Sequence, residues 1–230
     1  MSNNSEVPRV TGLFVVLAAL FVTLLITSNI IAVKIIEIWG RVLPAAIVLF
    51  PITYILGDVL TEVYGFRFAR RVILLGFVCN VLAVLGFWIG GLMPAAPFWQ
   101  EQNAYSAILG YAPRLLIASF AGYLVGEFSN SIVLSRLKVV TGGRWLWTRT
   151  ISSTIVGQAA DSAVFITVAF AGTLAGNNLI ELLLTQWVVK VLYEVFATPI
   201  TYGVVGYVKA REGLDVYDYK ISLNPLSFLR

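Results

Sequence analysis

The chain of 230 residues has no histidine, a single cysteine and few charged residues. Without histidine, and with Cys79 as its one thiol, it offers neither the ligands of a structural zinc site nor an internal disulfide. Charged residues make up 12% of the chain, against about 25% in an ordinary soluble domain. This deficit and a mean hydropathy of +0.87 indicate a surface that mostly faces lipid. The net charge of +4 does not suggest nucleic-acid binding, and we expect no metal and no cofactor.

Six apolar stretches are long enough to cross a bilayer, for which a helix needs about 20 residues. The predicted spans are 12–33, 42–61, 72–93, 114–134, 150–174 and 179–208. The sequence therefore predicts an all-α integral membrane protein, with six transmembrane helices in one bundle and a single domain over residues 1–230. Residues 62–71 are expected to form a short basic turn between the second and third spans.

Lysine and arginine are distributed unevenly between the two sides of these spans. The outer side holds Lys34, Arg41 and Arg114. The inner side holds twelve basic residues: Arg9, Arg67, Arg70, Arg71, Arg136, Lys138, Arg144, Arg149, Lys209, Arg211, Lys220 and Arg230. Because cytoplasmic loops of membrane proteins are enriched in Lys and Arg, both termini are predicted to be cytoplasmic. Residues 1–11 form the short N-terminus, and 209–230 form a polar tail that we expect to be mobile.

Three ionisable residues lie near the middle of predicted spans. Asp161, Lys190 and Glu194 each cost several kcal/mol at that depth unless they pair or line a polar cavity. Lys190 can pair with Asp161 or with Glu194, and a purely structural salt bridge is one interpretation. Since an apolar replacement would be cheaper for stability alone, we favour contact with a small polar solute, and hence a transporter.

The helical period groups these residues into two polar stripes, one in each of the last two spans. The stripes consist of Gln186, Lys190 and Glu194 in the sixth span, and of Ser153, Gly157 and Asp161, with Gln158 beside them, in the fifth. Both stripes are centred near mid-membrane. In the simplest bundle they face each other and together line one polar site.

Other polar residues lie along the remaining spans. These are Asn29 in the first, Asp58 and Glu62 near the inner end of the second, Asn80 in the third, and Arg114, Ser119, Glu127 and Asn130 in the fourth. Asp58 is the deeper of the two carboxylates in the second span, whereas Glu62 is expected to pair with Arg70 or Arg71 at the interface.

Two glycine pairs and one proline give packing signals. Gly86 with Gly90, and Gly122 with Gly126, have the GxxxG spacing that lets helix backbones approach closely. Pro51 lies inside the second predicted span, where its missing N–H predicts a kink that frees backbone carbonyls. Phe50 and Tyr54, on either side of it, are therefore candidate walls of a cavity.

Carboxylates, amides and one lysine around an aromatic-lined cavity suit a flat heterocycle. A guanine-like edge offers N–H donors to Asp or Glu, and its O6 accepts from Lys, Arg, Asn or Gln. The faces of Phe50, Tyr54 or Trp88 could stack on the ring. The same residue types would also serve an amino acid or a sugar, so the chemistry alone leaves the solute open.

Several runs of residues resemble the queuosine precursor transporter family, also called the vitamin uptake transporter family. They are Ser28-Asn29-Ile-Ile-Ala-Val-Lys34, Phe50-Pro51-Ile-Thr-Tyr54-Ile-Leu-Gly57-Asp58-Val-Leu-Thr-Glu62-Val-Tyr64-Gly65, Ala69-Arg70-Arg71, Arg114-Leu-Leu-Ile-Ala-Ser119-Phe120, Gln158-Ala-Ala-Asp161-Ser162 and Lys190-Val-Leu. The resemblance covers nearly all of the six predicted spans. It implies uptake of 7-deazaguanine bases, such as preQ0, preQ1 or queuine, across the bacterial inner membrane by a multi-pass protein.

The resemblance also implies functional residues and a fold. It assigns Asn29, Asp58, Arg114, Asp161 and Lys190 to function, without individual roles. The six-helix plan is similar to the substrate-binding subunits of energy-coupling-factor transporters. Those subunits carry an AxxxA face on the first helix that docks a partner, and this chain lacks it. We therefore favour a stand-alone carrier over the alternative, a substrate-binding subunit that needs separate energising partners. No nucleophile stands beside a base, so an enzyme is not expected.

Overall fold

The computed structural model describes residues 10–38, 41–110, 113–170, 172 and 176–219. Over these ranges helices dominate. The elements in chain order are α1 (Gly12–Ile31), β1 (Ile35–Ile38), β2 (Arg41–Pro44), a 3₁₀ turn (Ala45–Val48), α2 (Phe50–Tyr64), α3 (Phe66–Leu92), α4 (Gln102–Leu109), α5 (Pro113–Val140), α6 (Leu146–Phe170) and α7 (Gly176–Glu212). The predicted all-helical membrane bundle is confirmed.

Five helices of the described chain are long and apolar enough to cross a membrane, namely α1, α3, α5, α6 and α7. The sixth predicted span corresponds to α2, which has 15 residues and is about 22 Å long. With the 3₁₀ turn before it, which adds about 8 Å, the segment approaches the roughly 30 Å of a hydrocarbon core. The count therefore differs from the prediction only at this segment.

The predicted start of the second span at residue 42 is wrong. Residues 41–44 instead pair with 35–38 as an antiparallel ladder, in which Ile35 lies opposite Pro44 and Ile38 opposite Arg41. α2 then begins at Phe50, so Pro51 lies in the first helical turn, where its missing N–H has no partner to lose. The predicted mid-span kink at Pro51 is therefore also wrong.

A single glycine takes the place of the predicted turn at 62–71. α2 runs through Tyr64 and α3 begins at Phe66, with Gly65 between them at φ 83°. This left-handed conformation favours glycine, and a Cβ there would also come within 2.8 Å of Val216. Gly65 thus permits two helices to meet with one residue between them.

α5 and α6 pack closely against each other, and glycines account for it. A Cβ on Gly126 would lie 2.6 Å from the Asp161 Cβ, and one on Gly157 would lie 2.8 Å from the Asn130 Cβ. The Gly122–Gly126 motif therefore brings two backbones into contact, as its spacing predicts. The other motif differs, because a Cβ on Gly86 would meet no described atom within 4 Å, and Gly90 packs on the Tyr105 hydroxyl.

The start of the polar tail is docked, contrary to the expected mobility. Val216 donates its N–H to the Val63 carbonyl at 3.3 Å. The Asp218 carboxylate accepts from the Phe66 N–H and from the Ser135 hydroxyl, both at 2.7 Å. The tail therefore ties the junction between α2 and α3 to α5 at the predicted inner side. Its last described residue is Tyr219.

Candidate functional site

Four carboxylates lie close to the midpoints of four different helices. Asp58 is on α2, Glu127 on α5, Asp161 on α6 and Glu194 on α7, each within three residues of the centre of its helix. Asp58 interacts electrostatically with Glu194 and Glu127, and Glu127 interacts with Asp161 and Glu194. The packing of the bundle therefore gathers these four side chains, called here the central acidic group.

Lys190 is the basic partner of this group. It forms a salt bridge with Asp161, and the side chains of both residues are 21% exposed. Of the two partners that the sequence left open for Lys190, the structure selects Asp161. The glycines of α5 make room for this pair, since Asp161 packs directly on Gly122 and Gly126.

Tyr54 and Gln158 connect α2 to the same place. The Tyr54 hydroxyl donates to the Gln158 amide oxygen at 3.3 Å. Gln158 is buried and lies one turn before Asp161 on α6. Tyr54 is also within electrostatic range of Asp161, Glu127 and Glu194. An aromatic ring and an amide therefore border the Asp161–Lys190 pair.

Asp58 is held by an amide on the neighbouring helix. The Asn130 side chain donates to Asp58 Oδ1 at 2.9 Å, and Asp58 is only 1% exposed. Its second oxygen, Oδ2, has no hydrogen-bond partner among the described residues. One bond from a neutral amide leaves this carboxylate short of donors.

Glu194 is the most isolated member of the central acidic group. It is completely buried, and neither of its carboxylate oxygens has a hydrogen bond within the described part of the chain. Thr154 on α6 lies beside it without reaching hydrogen-bond geometry. Glu127 is also buried, with its Oε2 packed 3.3 Å from the position of a Cβ on Gly57.

Comparison with known proteins places this chain in a family. Residues 44–204 match the family described as "Putative vitamin uptake transporter". The chain belongs to this family. It is a transporter rather than an enzyme, and its membrane-spanning helices make it a multi-pass membrane protein.

Its curated bacterial relatives carry more specific names. It is 28% identical to the "Probable queuosine precursor transporter" of Bacillus subtilis, covering 77% of this chain and 78% of that protein. It is also 28% identical to the "Queuosine precursor transporter" of Escherichia coli, covering 89% and 91%. The family resemblance predicted from the sequence is thereby confirmed. No solved structure matches the chain.

The remaining predicted site residues fall into two sets. The side chains of Phe50, Arg114 and Gln186 lie outside the described part of the transporter. Asn29 is described, but it lines a separate cavity of about 20 Å³ with Asn80 and Ser119, between α1, α3 and α5. Such a volume holds about one water molecule, not a purine-sized base.

Trp88, predicted to stack on the solute, is 62% exposed and lies in the C-terminal part of α3, beside the exposed Ile89. Sequence reasoning in turn missed Glu127 and Asn130 as members of the site. The signal for Glu127 was present, because it stands at the middle of a long apolar span, as Asp161 does. The role of Asn130 required the contact with Asp58, which is 72 residues away.

A second ionic cluster, called here the inner cluster, lies at the ends of the same helices that are predicted to face the cytoplasm, and it centres on Glu62. Its Oε1 accepts from Arg149 at 2.7 Å and from Lys209 at 2.9 Å, and Lys138 is 3.7 Å away. The expected pairing of Glu62 with Arg70 or Arg71 is wrong, because helix packing brings the bases of α5, α6 and α7 to this carboxylate instead.

The tail adds a second carboxylate to this inner cluster. Asp215 contacts Lys138 at 2.6 Å and Lys209 at 2.8 Å. Burial acts to raise the pKa of Asp215, but the hydrogen bonds and charges of the two lysines outweigh it, so the pKa is lower than usual. Asp215 therefore stays ionised and binds the tail to α5 and α7.

Proposed function

We propose that the transporter imports queuosine precursors, 7-deazaguanine bases such as preQ0, preQ1 or queuine, across the inner membrane. The names of its relatives support this substrate class. The observation that carries the proposal is the gathering of Asp161, Lys190, Gln158 and Tyr54 at the centre of the bundle. Charged groups kept at that depth are typical of a solute pathway.

The chemistry of this group suits a guanine-like edge. A carboxylate such as Asp161 or Glu194 accepts from the ring N–H and the exocyclic amine, while the Lys190 ammonium donates to O6. The Tyr54 ring offers a stacking face, and Gln158 offers both a donor and an acceptor. We propose that the rest of the site is formed by Phe50, Asp58, Arg114 and Gln186, whereas Asn29 lies apart at the small cavity between α1, α3 and α5.

The Asp161–Lys190 pair explains how an empty site can exist in a membrane. In the absence of solute each charge neutralises the other, which lowers the cost of keeping both in the bundle. A base that donates its N–H groups to Asp161 and accepts at O6 from Lys190 replaces one ion pair by two sets of hydrogen bonds. In the empty transporter, Asp161 and Lys190 therefore bind each other in place of the substrate.

We further propose that the chain forms one transporter domain that acts alone, with both termini in the cytoplasm. The excess of basic residues on one side of the spans supports this orientation. Reporter fusions to each terminus would measure it, and an external location of either terminus would contradict it.

Uptake of labelled preQ1 by cells that express the transporter tests the function. We expect Asp161→Asn and Lys190→Gln each to lower initial uptake by about tenfold or more, as the loss of one charged contact of roughly 1.4 kcal/mol would do. Glu101→Gln, at an exposed residue directly before α4, is the control and should leave uptake unchanged.

The double variant Asp161→Asn with Lys190→Gln separates a substrate contact from a structural salt bridge. If the pair only holds α6 to α7, removing both charges should restore uptake, because no uncompensated charge remains. If both side chains bind the base, the double variant stays inactive although it is folded. Wild-type uptake by all three variants at equal expression would refute the proposed site. Uptake that requires a co-expressed ATPase would favour a binding subunit instead.

A further inference from the structure

The charges at the centre of the bundle do not balance. The central acidic group has four carboxylates, whereas Lys190 is the one basic residue that contacts it within the described chain, and it pairs with Asp161. Asp58, Glu127 and Glu194 form no salt bridge among the described residues, and all three are at most 8% exposed. Carboxylates buried without a positive partner are strongly unfavourable, so the group requires a further cation.

Glu194 marks where this cation binds. Both of its oxygens are buried and lack a hydrogen bond within the described ranges, and one oxygen of Asp58 is in the same condition. A buried acceptor without a donor bears the full cost of its lost hydration. A proton removes this cost directly, since a protonated carboxyl is neutral and has a donor of its own.

The groups that face Glu194 also favour a proton over a metal ion. They are Asp58 and Tyr54 on α2 and Glu127 on α5. Lys190 lies one turn before Glu194 on the same helix and is paired with Asp161 of α6. In the part of the chain that the structure describes, no three acidic side chains are grouped closely enough to ligate a metal. A proton needs only one oxygen, and the surplus of negative charge draws it to this position.

We propose that Glu194 binds a proton that crosses the membrane together with the substrate. This inference rests on the proposed transport function and adds its energy source. Lys190 and Glu194 lie one helical turn apart, so an ionised Glu194 competes with Asp161 and with the substrate for the Lys190 ammonium. A protonated Glu194 does not compete. Proton binding therefore favours substrate binding, and proton release on the inner side favours substrate release.

Purified transporter in liposomes, with preQ0 as the probe, tests this coupling. preQ0 carries a neutral nitrile and no basic aliphatic amine, so the probe does not itself follow a pH gradient. With the membrane potential clamped at zero, an exterior more acidic by about one pH unit should drive roughly tenfold accumulation for a one-to-one symport. Exchange of labelled for unlabelled preQ0, measured without any gradient, reports transport independently of the proton.

The outcomes separate the two proposals. If exchange is absent, both the transport function and the coupling are overturned. If exchange is present but accumulation ignores the gradient, transport stands and the coupling is overturned. The control Glu101→Gln should behave as the wild type, whereas Glu194→Gln should lose gradient-driven accumulation. An undiminished response in folded Glu194→Gln would overturn the assignment to Glu194.

A measurement on the unmodified protein covers the case in which Glu194→Gln does not fold. Dicyclohexylcarbodiimide reacts with protonated carboxyl groups inside membranes, and mass spectrometry locates the adduct. We expect the adduct at Glu194, at a rate that falls as the pH rises. Labelling elsewhere in the central acidic group, with Glu194 left unmodified, would overturn the assignment.

Discussion

Glu62→Gln should destabilise the transporter more than any other single charge removal in the inner cluster. The substitution keeps the size of the side chain and removes only its charge. Glu62 is completely buried, and its Oε1 accepts hydrogen bonds from both Arg149 and Lys209. The backbone carbonyl of Glu62, which accepts from Lys138, is not changed.

The size of the stability loss depends on which contacts each basic residue keeps in the variant. Lys138 and Lys209 both retain Asp215. Arg149 is 1% exposed and loses its one carboxylate partner in the described chain, keeping neutral bonds to the Arg144 carbonyl at 2.9 Å and to Thr141 at 3.2 Å. Removing one partner of a buried pair costs about 3–5 kcal/mol, and the retained bonds place this case near 3 kcal/mol.

Thermal unfolding in detergent, followed by tryptophan fluorescence, measures the effect. For a chain of this length about 1 kcal/mol moves Tm by roughly 2–4 °C, so Glu62→Gln should lower Tm by about 6–12 °C. Asp215→Asn is the matched control, because Asp215 contacts the same two lysines but is 44% exposed. Both lysines keep Glu62 in this variant, and a pair with one solvent-exposed partner contributes about 1 kcal/mol, so the shift should be below about 4 °C. Equal shifts in the two variants would refute the reasoning from burial.

Two further predictions concern packing and the tail. Gly126→Ala should lower stability by about 1–3 kcal/mol, since its Cβ would come within 2.6 Å of a side chain on α6, whereas Gly86→Ala should leave Tm unchanged because no described atom lies within 4 Å. Asp218→Ala should release the tail, because it removes the acceptor of two hydrogen bonds, and the Val216 amide should then exchange its hydrogen faster. Exchange as slow as in the wild type would show that other contacts hold the tail.

Composition and helical period were sufficient to predict most of the fold. Long apolar runs predict where α1, α3, α5, α6 and α7 lie, because such a run satisfies its backbone hydrogen bonds in lipid by forming a helix. The same periodicity placed Asp161 and Lys190 on facing stripes. These predictions depend on local sequence, which is what composition and spacing describe.

The errors arise where local sequence is ambiguous. Residues 35–44 are mostly apolar, with Glu37 and Arg41 as their charged residues, and such a short stretch is compatible with a strand or with part of a helix. The sequence predicts Pro51 inside a helix only because residues 42–50 are counted with the membrane span. Gly65 alone separates two helices, and its positive φ is a feature of the backbone that no hydropathy pattern reports.

Long-range contacts account for the rest of what the sequence did not predict. The tail around Asp215 and Asp218 is polar and aromatic, and nothing within it predicts docking. Its partners, Lys138 and Ser135, lie about 80 residues earlier on α5. Glu62 likewise pairs with basic residues of three other helices, so Arg70 and Arg71, which lie close to it in sequence, were the wrong choice.

The two ionic clusters have opposite character and are built from the same four helices. α2, α5, α6 and α7 each supply a carboxylate to the central acidic group, which has Lys190 as its cation. They each supply one charged residue to the inner cluster as well, as Glu62, Lys138, Arg149 and Lys209. The inner cluster has more bases than acids and is closed by strong contacts, whereas the central group has more acids than bases and leaves acceptors unsatisfied. The inner cluster therefore needs no ligand to be stable, whereas the central acidic group needs the proton that we propose for Glu194.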